Sequence, residues 1–537
     1  MQAATTTSDL AIISPLFIVC AMGLVALLVA VFTPKDSFKG WLGYVVAFGF
    51  ALALVAVVWL WKQAPLTLSN ESLFFALSVD HFGLGLTAVI LIGGLLAALT
   101  AVDYLPSQRS DHGEYYALVA FAVLGMMAMV MSADMLTFFV ALELMSISVY
   151  VLAGFKRQSA FSTEAAMKYF VTGSFASALL LLGIAFTYGA TGSIRFTEIA
   201  EALASPQASL PIAQFGVVML LAAFFFKVAA APFHMWTPDV YEGAPTSVTA
   251  LMATGVKVAA FGGFARMFLT AFGDARFRTG DLPWETIIAI VAVASMFAGN
   301  LMALAQKNLK RMLAYSAIAH TGYIMLAMLA APTSGDGTVW LGPGLIFYLL
   351  GYTLASIAAF GVASVVSGND VEDVNEVAYA GLAKRSPAHA LILAVAMLSL
   401  LGIPLTAGFI GKLTIFAEVL DGSHNEYLWI VVVAVINSII SAFYYLRVIL
   451  VAYMRDEAAE RPIQLVSSRS LTLAAGLAAF LTLVVGLVPS RALMASGKAG
   501  GSLADSKARA ASTATVNDVH TEADAPATAS APKATKL

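Results

Sequence analysis

One cysteine in 537 residues, Cys20, sets the first limit. A lone thiol excludes Cys₄ iron–sulfur ligation, a Cys-based zinc cluster and an internal disulfide. Charge is scarce too: 11% of residues are Asp, Glu, Lys or Arg, against about 25% in an average soluble domain. No GxGxxG or P-loop pattern stands between a strand and a helix, so no nucleotide site is expected. Neither a metal site nor a nucleic-acid partner is expected. The net charge of −3 says little, because the placement of the charges matters more than their sum.

Apolar length takes the place of charge. The chain is 60% hydrophobic, and its mean hydropathy is +0.86. A membrane-crossing helix needs about 20 predominantly apolar residues. By that measure the spans fall at 11–32, 41–61, 81–102, 116–132, 134–154, 164–190, 212–236, 245–272, 284–304, 311–330, 341–366, 388–419, 427–454 and 469–489. An all-α polytopic membrane protein of about fourteen helices follows. The first span lacks a basic leader and is too long for a cleaved signal peptide.

Loop cations sort by side. Lys35, Lys39, Arg109, Lys156, Arg157, Lys307, Lys310, Arg311, Lys384, Arg385, Arg455, Arg461 and Arg469 fall on one face. Only Lys62, Arg195, Arg276 and Arg278 fall on the other before the tail. The positive-inside rule puts the first face in the cytoplasm, and an even helix count then puts both termini outside. From Ser490 the composition turns to Ala, Ser, Thr, Pro and Lys, which reads as a disordered tail over 490–537.

The chain also repeats itself. Met135-Leu136 and Met312-Leu313 each open a helix, and His320 lies as far beyond its pair as Glu143 lies beyond its own. Each unit then reaches a helix broken by proline, at Ala231-Pro232 and at Gly402-Ile403-Pro404. The expected organisation is helices one to three over 1–115, a five-helix repeat over 116–272, an inverted copy over 284–454, and a last helix at 469–489. Inverted repeats with broken helices in matching positions point to an ion pathway near the bilayer midplane.

Six ionisable residues within the spans carry the chemistry: Glu143, Lys168, Lys227, Lys257, His320 and Lys412. A charge at the bilayer centre costs roughly 2.5–3.5 kcal/mol on insertion scales. Several together cost about ten or more, which a purely structural bundle avoids by using leucine. Glu143 shares a helical face with Ser146 and Tyr150, a polar stripe in an apolar helix. Lys227 is its expected partner. Burial disfavours both charged forms and mutual pairing favours them, so a third charge can tip the pair. The structural alternative for Glu143, Lys227 and Lys257 is an ion pair holding two helices together. For Lys412 it is a pair with a neighbouring subunit. Lys168, near its helix start, reads equally as a lysine snorkelling to the interface. His320 has a near-neutral reference pKa and takes the glutamate's place in the second copy. Arg266 and Arg447 lie within reach of helix ends and read as snorkelling.

The stretch Phe226-Lys227-Val228-Ala229-Ala230-Ala231-Pro232-Phe233-His234-Met235-Trp236-Thr237-Pro238-Asp239-Val240-Tyr241-Glu242-Gly243-Ala244-Pro245-Thr246 resembles the signature of the antiporter-like membrane subunits of respiratory complex I. Its Trp-Thr-Pro-Asp-Val-Tyr-Glu-Gly-Ala-Pro ending is similar to the N-type subunits. The L- and M-type subunits and Mrp antiporters show a Trp-Leu-Pro form there. Lys310-Arg311-Met312-Leu313-Ala314-Tyr315-Ser316 through His320, and Gly402-Ile403-Pro404 through Gly411-Lys412, also fit. The resemblance covers the chain to about residue 489, and the long tail departs from it.

It implies a proton-translocating subunit of NADH:quinone oxidoreductase in a bacterial plasma (inner) membrane, packed against other complex I membrane subunits. It further implies one half-channel per repeat. Glu143 and Lys227 match the family's glutamate–lysine pair, Lys257 the connecting lysine and Lys412 the exit-side lysine. Lys168 and His320 match accessory positions. NADH, flavin, iron–sulfur clusters and quinone belong to other subunits of the family, so no cofactor is expected on this chain. The other reading is an Mrp-type cation/proton antiporter subunit.

Overall fold

The computed structural model describes residues 7–34, 37–64, 76–205, 209–278, 283–331, 340–366, 374–421, 427–456, 465–466 and 468–503. Lys35, Arg461, the first six residues and the tail over 504–537 lie outside them. Three isolated β-bridges join loops, and no strand occurs among the described residues.

The helices run in chain order. A short α1 (Thr7–Ile12) leads into α2 (Ser14–Phe32), α3 (Trp41–Trp61) and α4 (His81–Ser107). Next come α5 (Glu114–Met131), α6 (Met135–Ala153), α7 (Ala160–Thr191), the short α8 (Phe196–Ala204) and α9 (Leu210–Lys227). Beyond a break lie α10 (Thr237–Gly243) and α11 (Thr246–Leu251), which passes through a π-turn at Met252–Val256 into α12 (Lys257–Ala271). A four-residue α13 (Ala275–Arg278) precedes α14 (Trp284–Leu304), α15 (Leu309–Leu329) and α16 (Gly344–Val366). The chain ends with α17 (Leu382–Arg385), α18 (Pro387–Leu401), α19 (Ala407–Asp421), α20 (Leu428–Met454) and α21 (Arg469–Leu487).

Among the described residues, thirteen helical stretches are long and apolar enough to cross a membrane, with Pro387–Leu401 as a shorter apolar helix beside them. Each expected span overlaps one of these stretches, but the helix in 212–236 stops at Lys227, and the span at 388–419 is divided between α18 and α19. One expectation fails: residues 490–503 are helical rather than irregular. Ala499 and Leu503 are buried there, and Ser502 Oγ accepts a hydrogen bond from Phe82 N at 2.9 Å. Ala499, Leu503 and two buried serines, Ser496 and Ser502, are enough for a helix that packs on protein instead of standing alone in water.

Polar side chains start the helices where the loops turn inward. Asp80 accepts from Gly83 N, Asp134 from Thr137 N, Asn308 from Arg311 N and Ser468 from Leu471 N. Each satisfies a donor that the first helical turn leaves open. Burial then ranks the helices. Thr246–Ala271 and Leu309–Leu329 are buried along their whole apolar length, whereas α2, α7 and α20 lie at the margin. Lys257 and His320 therefore sit on the two most central stretches.

Loops of the basic face contact one another. Lys39 N donates to Asp111 Oδ2 at 2.8 Å, Lys156 Nζ to Gln108 Oε1 at 2.9 Å, and Asn308 bridges Asn375. At the opposite face Leu77 bridges Ser132 and Asp134 bridges Arg195. Lys156 is buried enough within its loop that its pKa falls to about 8.

Candidate functional site: two helix breaks and a buried lysine line

The first break begins directly after Lys227, the last residue of α9. Ala229 turns left-handed (φ 58°) and Pro232 follows three residues on. Proline denies the carbonyl of Val228 its usual helical partner. That carbonyl instead accepts from Thr321 Oγ1 of α15 at 2.6 Å. Ala231 N finds Ser295 Oγ of α14 at 2.9 Å, and Trp236 Nε1 donates to Phe226 O at 3.2 Å. Irregular backbone at membrane depth is thus satisfied inside protein, as the bilayer demands.

The second break separates α18 from α19. Gly402 (φ 91°) and Leu405 (φ 77°) are both left-handed. Each break therefore holds one non-glycine residue in a conformation that costs of order 1–3 kcal/mol. Here the freed carbonyl of Leu401 accepts from Lys412 Nζ at 2.8 Å. Gly408, four residues before Lys412, lets a facing helix close in. A Cβ at Gly408 would lie 1.8 Å from Ser399 O, inside the backbone of α18.

The three lysines of the line, Lys227, Lys257 and Lys412, have neutral acceptors. Lys227 Nζ donates to Ser146 Oγ at 2.7 Å and stands 5.7 and 5.9 Å from the Tyr150 and Tyr169 ring centroids. Lys257 Nζ donates to Ala317 O at 2.5 Å and Thr321 Oγ1 at 2.9 Å, and lies 5.2 Å from the Tyr352 ring. Lys412 Nζ also reaches Ser438 Oγ at 3.3 Å and stands 4.7 Å from the Tyr323 ring. An aromatic face within about 6 Å attracts a cation without fixing its proton. Among the described residues no carboxylate forms an ion pair with any of the three.

His320 fills the gap between Lys257 and Lys412. Its Nδ1 meets Tyr348 OH at 2.7 Å and its Nε2 meets Tyr445 OH at 3.0 Å. Its ring lies 5.0 Å from that of Tyr352, beside Lys257, and 5.9 Å from that of Tyr323, beside Lys412. A small cavity lies against His320, Tyr348, Tyr352, Ser399 and Gly408. It leaves about 10 Å³ for the centre of a water molecule, room for about one water.

One expectation needs correction, and one that stood open between two readings is decided. Glu143 and Lys227 do not meet in a direct ion pair. Glu143 Oε1 instead accepts from Ser177 Oγ at 2.5 Å, while Ser146, one turn on, takes the lysine. The carboxylate still acts electrostatically on Lys227. Glu143 is half-buried and flanked by exposed Val140 and Ile147, which puts it at the lateral edge of the line. Lys168 does not join the line. Its side chain is 41% exposed and bonds Glu164 Oε1 and Asp239 Oδ2, both at 2.6 Å. Asp239 also binds Arg311 at 2.7 Å, so Lys168 belongs to a polar clamp on the basic face.

Arg266 overturns its expectation as well. It does not snorkel: it is buried and paired bidentately with Asp80 at 2.8 and 2.6 Å, with Val130 O at 2.9 Å. Arg447 stays near its helix end, donating to Leu304 O at 2.9 Å and pairing with Glu376 at 3.0 Å. Sequence reasoning missed Thr321, Ser177 and the tyrosines at 169, 323, 348, 352 and 445. Tyr348 and Tyr352 lie one helical turn apart with a shared face, the only advance signal among them.

Two half-helices broken beside a central line of buried cations define the class: a polytopic ion-pathway subunit of the antiporter-like kind. A family model described as NADH:quinone oxidoreductase/Mrp antiporter, TM, matches residues 132–441. The NADH-quinone oxidoreductase subunit N of Trichlorobacter lovleyi is 40% identical over 488 residues, covering 91% of this chain and 96% of that one. The chain belongs to the NADH:quinone oxidoreductase/Mrp antiporter membrane family and, within it, to the subunit N group. A chain of respiratory complex I from Thermus thermophilus superposes with a TM-score of 0.74 at 35% identity, covering 90% of this chain and 99% of that one. A chain of the Mrp complex from Dietzia sp. reaches 0.72 at 23% identity over 91% and 98%, a likeness of fold alone.

Proposed function

We propose that this chain is a proton-translocating membrane subunit of NADH:quinone oxidoreductase, working beside other membrane subunits of that complex. The observation that carries the reading is the set of acceptors around Lys227, Lys257 and Lys412: hydroxyls, carbonyls and tyrosine faces, with no ion-pairing carboxylate. A cation held this way keeps its desolvation penalty without the pairing that would lock its charge. Protonation can therefore pass along the line as neighbouring charges change.

In this reading Glu143 senses charge at the lateral edge and biases Lys227. Lys257 passes the proton past His320 to Lys412. The halves 116–272 and 284–454 act as inverted copies, each contributing one break. Moving one charge against 100 mV requires about 2.3 kcal/mol, so the drive comes from redox chemistry elsewhere in the complex. The chain itself carries no redox centre or cofactor. The complex sits in the bacterial plasma (inner) membrane with the basic face in the cytoplasm and both termini outside.

The test is Lys227→Ala in the assembled complex, with proton uptake measured per NADH oxidised in sealed vesicles. Pumping at least about tenfold lower is expected, because the line loses its first cation. Undiminished pumping at normal NADH oxidation removes Lys227 from the mechanism. An Mrp-type antiporter subunit shares this fold, and its absence from preparations containing the flavin and iron–sulfur subunits would favour that alternative.

A further inference from the structure

We propose that Thr321 is a positioning residue that ties the charge state of Lys257 to the geometry of the first helix break; the inference rests on the proton-translocation reading above. Pro232 leaves the Val228 carbonyl without its helical donor, and a buried carbonyl must find another. Thr321 supplies it at 2.6 Å from α15. The same hydroxyl oxygen accepts from Lys257 Nζ at 2.9 Å. One side chain thus touches both the break that follows Lys227 and the next cation in the line.

Hydrogen-bond accounting shows what the hydroxyl does. Threonine has one O–H proton and two acceptor lone pairs. Its proton has two acceptors in reach, Val228 O at 2.6 Å and Ala317 O at 3.1 Å. Lys257 already donates to Ala317 O, at 2.5 Å. With Lys257 charged, Nζ has three N–H donors and no lone pair, so the hydroxyl accepts from it and directs its own proton to the break. When Lys257 gives up its proton, Nζ keeps two N–H donors and gains a lone pair, to which the hydroxyl can turn its own proton at 2.9 Å. The Val228 carbonyl is then left without a donor, in a buried site, directly beside Lys227. The break is thereby informed of the charge one station further on. No water or carboxylate is needed for this step.

The experiment compares Thr321→Ser, Thr321→Ala and Thr321→Val in the complete complex in sealed vesicles, with Lys257→Met as reference. Complex content is read on native gels, and protons moved are read per NADH oxidised. Serine keeps the hydroxyl, alanine leaves room for a water in its place, and valine keeps the volume but excludes both. The expected order is serine within about twofold of the unmodified complex, alanine lower, and valine about fivefold down at equal complex content. A role in packing alone predicts the reverse, with isosteric valine unimpaired and the smaller side chains worse; that order overturns the proposal, as does equality of all three with the unmodified complex. If the valine variant fails to assemble, serine and alanine decide, and equal losses in those two overturn it. Normal pumping by Lys257→Met removes the reading of the whole line and Thr321 with it. An impaired Lys257→Met beside a normal Thr321→Val removes Thr321 alone.

Discussion

Two sets of buried cations lie side by side in this protein and are held in opposite ways. Arg266 is locked to Asp80 by two charge-assisted bonds and a carbonyl, and Arg278 is paired with Glu285 in an equally buried site. The three lysines have only hydroxyls, carbonyls and tyrosine faces. Arginine's planar fork suits a fixed bidentate partner, while lysine's compact ammonium changes charge readily when buried. The arginines connect helices: Asp80 begins at the entrance to α4 and Arg266 lies on α12. The lysines connect breaks. The contrast separates structural charge from mobile charge within one protein interior.

Removing one member from each set tests whether the two kinds of cation differ. The largest effect is expected at Lys257, which has no carboxylate to leave unpaired. Lys257→Met should lower proton uptake per NADH by at least about tenfold while the complex assembles at its normal level. A variant that pumps normally would place Lys257 among the structural charges and remove the reading of the line with it. Next comes Arg266→Met, which strands a buried carboxylate. Loss of about 3–5 kcal/mol is expected, read as a lower melting temperature and a reduced yield of intact complex. A stable variant that assembles fully but fails to pump would move Arg266 into the mobile set. The smallest effect is expected at Lys168, whose exposed pairs contribute about 0–1 kcal/mol. Lys168→Ala should leave pumping within about twofold of normal, and a tenfold loss would bring it back into the line.

Much of the architecture was legible before any coordinates. Fourteen apolar runs, two proline interruptions and five of the buried ionisable groups follow from length and composition, because a bilayer accepts only satisfied helices. What was not legible is who partners whom. Glu143 and Ser146 lie one turn apart on α6, and both belong to the same polar stripe, yet only the packing of α7 and α9 sends the lysine to the serine and Ser177 to the carboxylate. Lys168 and Arg266 show the same limit in opposite directions. Each lies near a helix end, and snorkelling is a fair expectation for both. Asp239 reaches Lys168 at the surface, but the turn before α4 carries Asp80 inward to meet Arg266.

Amino-acid order alone makes charge rare, sets it within apolar runs and breaks two helices. Those outcomes depend on local chemistry: apolar length, the missing N–H of proline and the cost of an ion in hydrocarbon. Only the tertiary structure decided what each buried charge touches. The distances from Thr321 to Val228 and Lys257, and the tyrosine rings over the lysines, bring together residues scores of positions apart. No periodicity along one helix records which neighbour a second helix will present. Whether a buried cation is a fastener or a carrier is set by that neighbour.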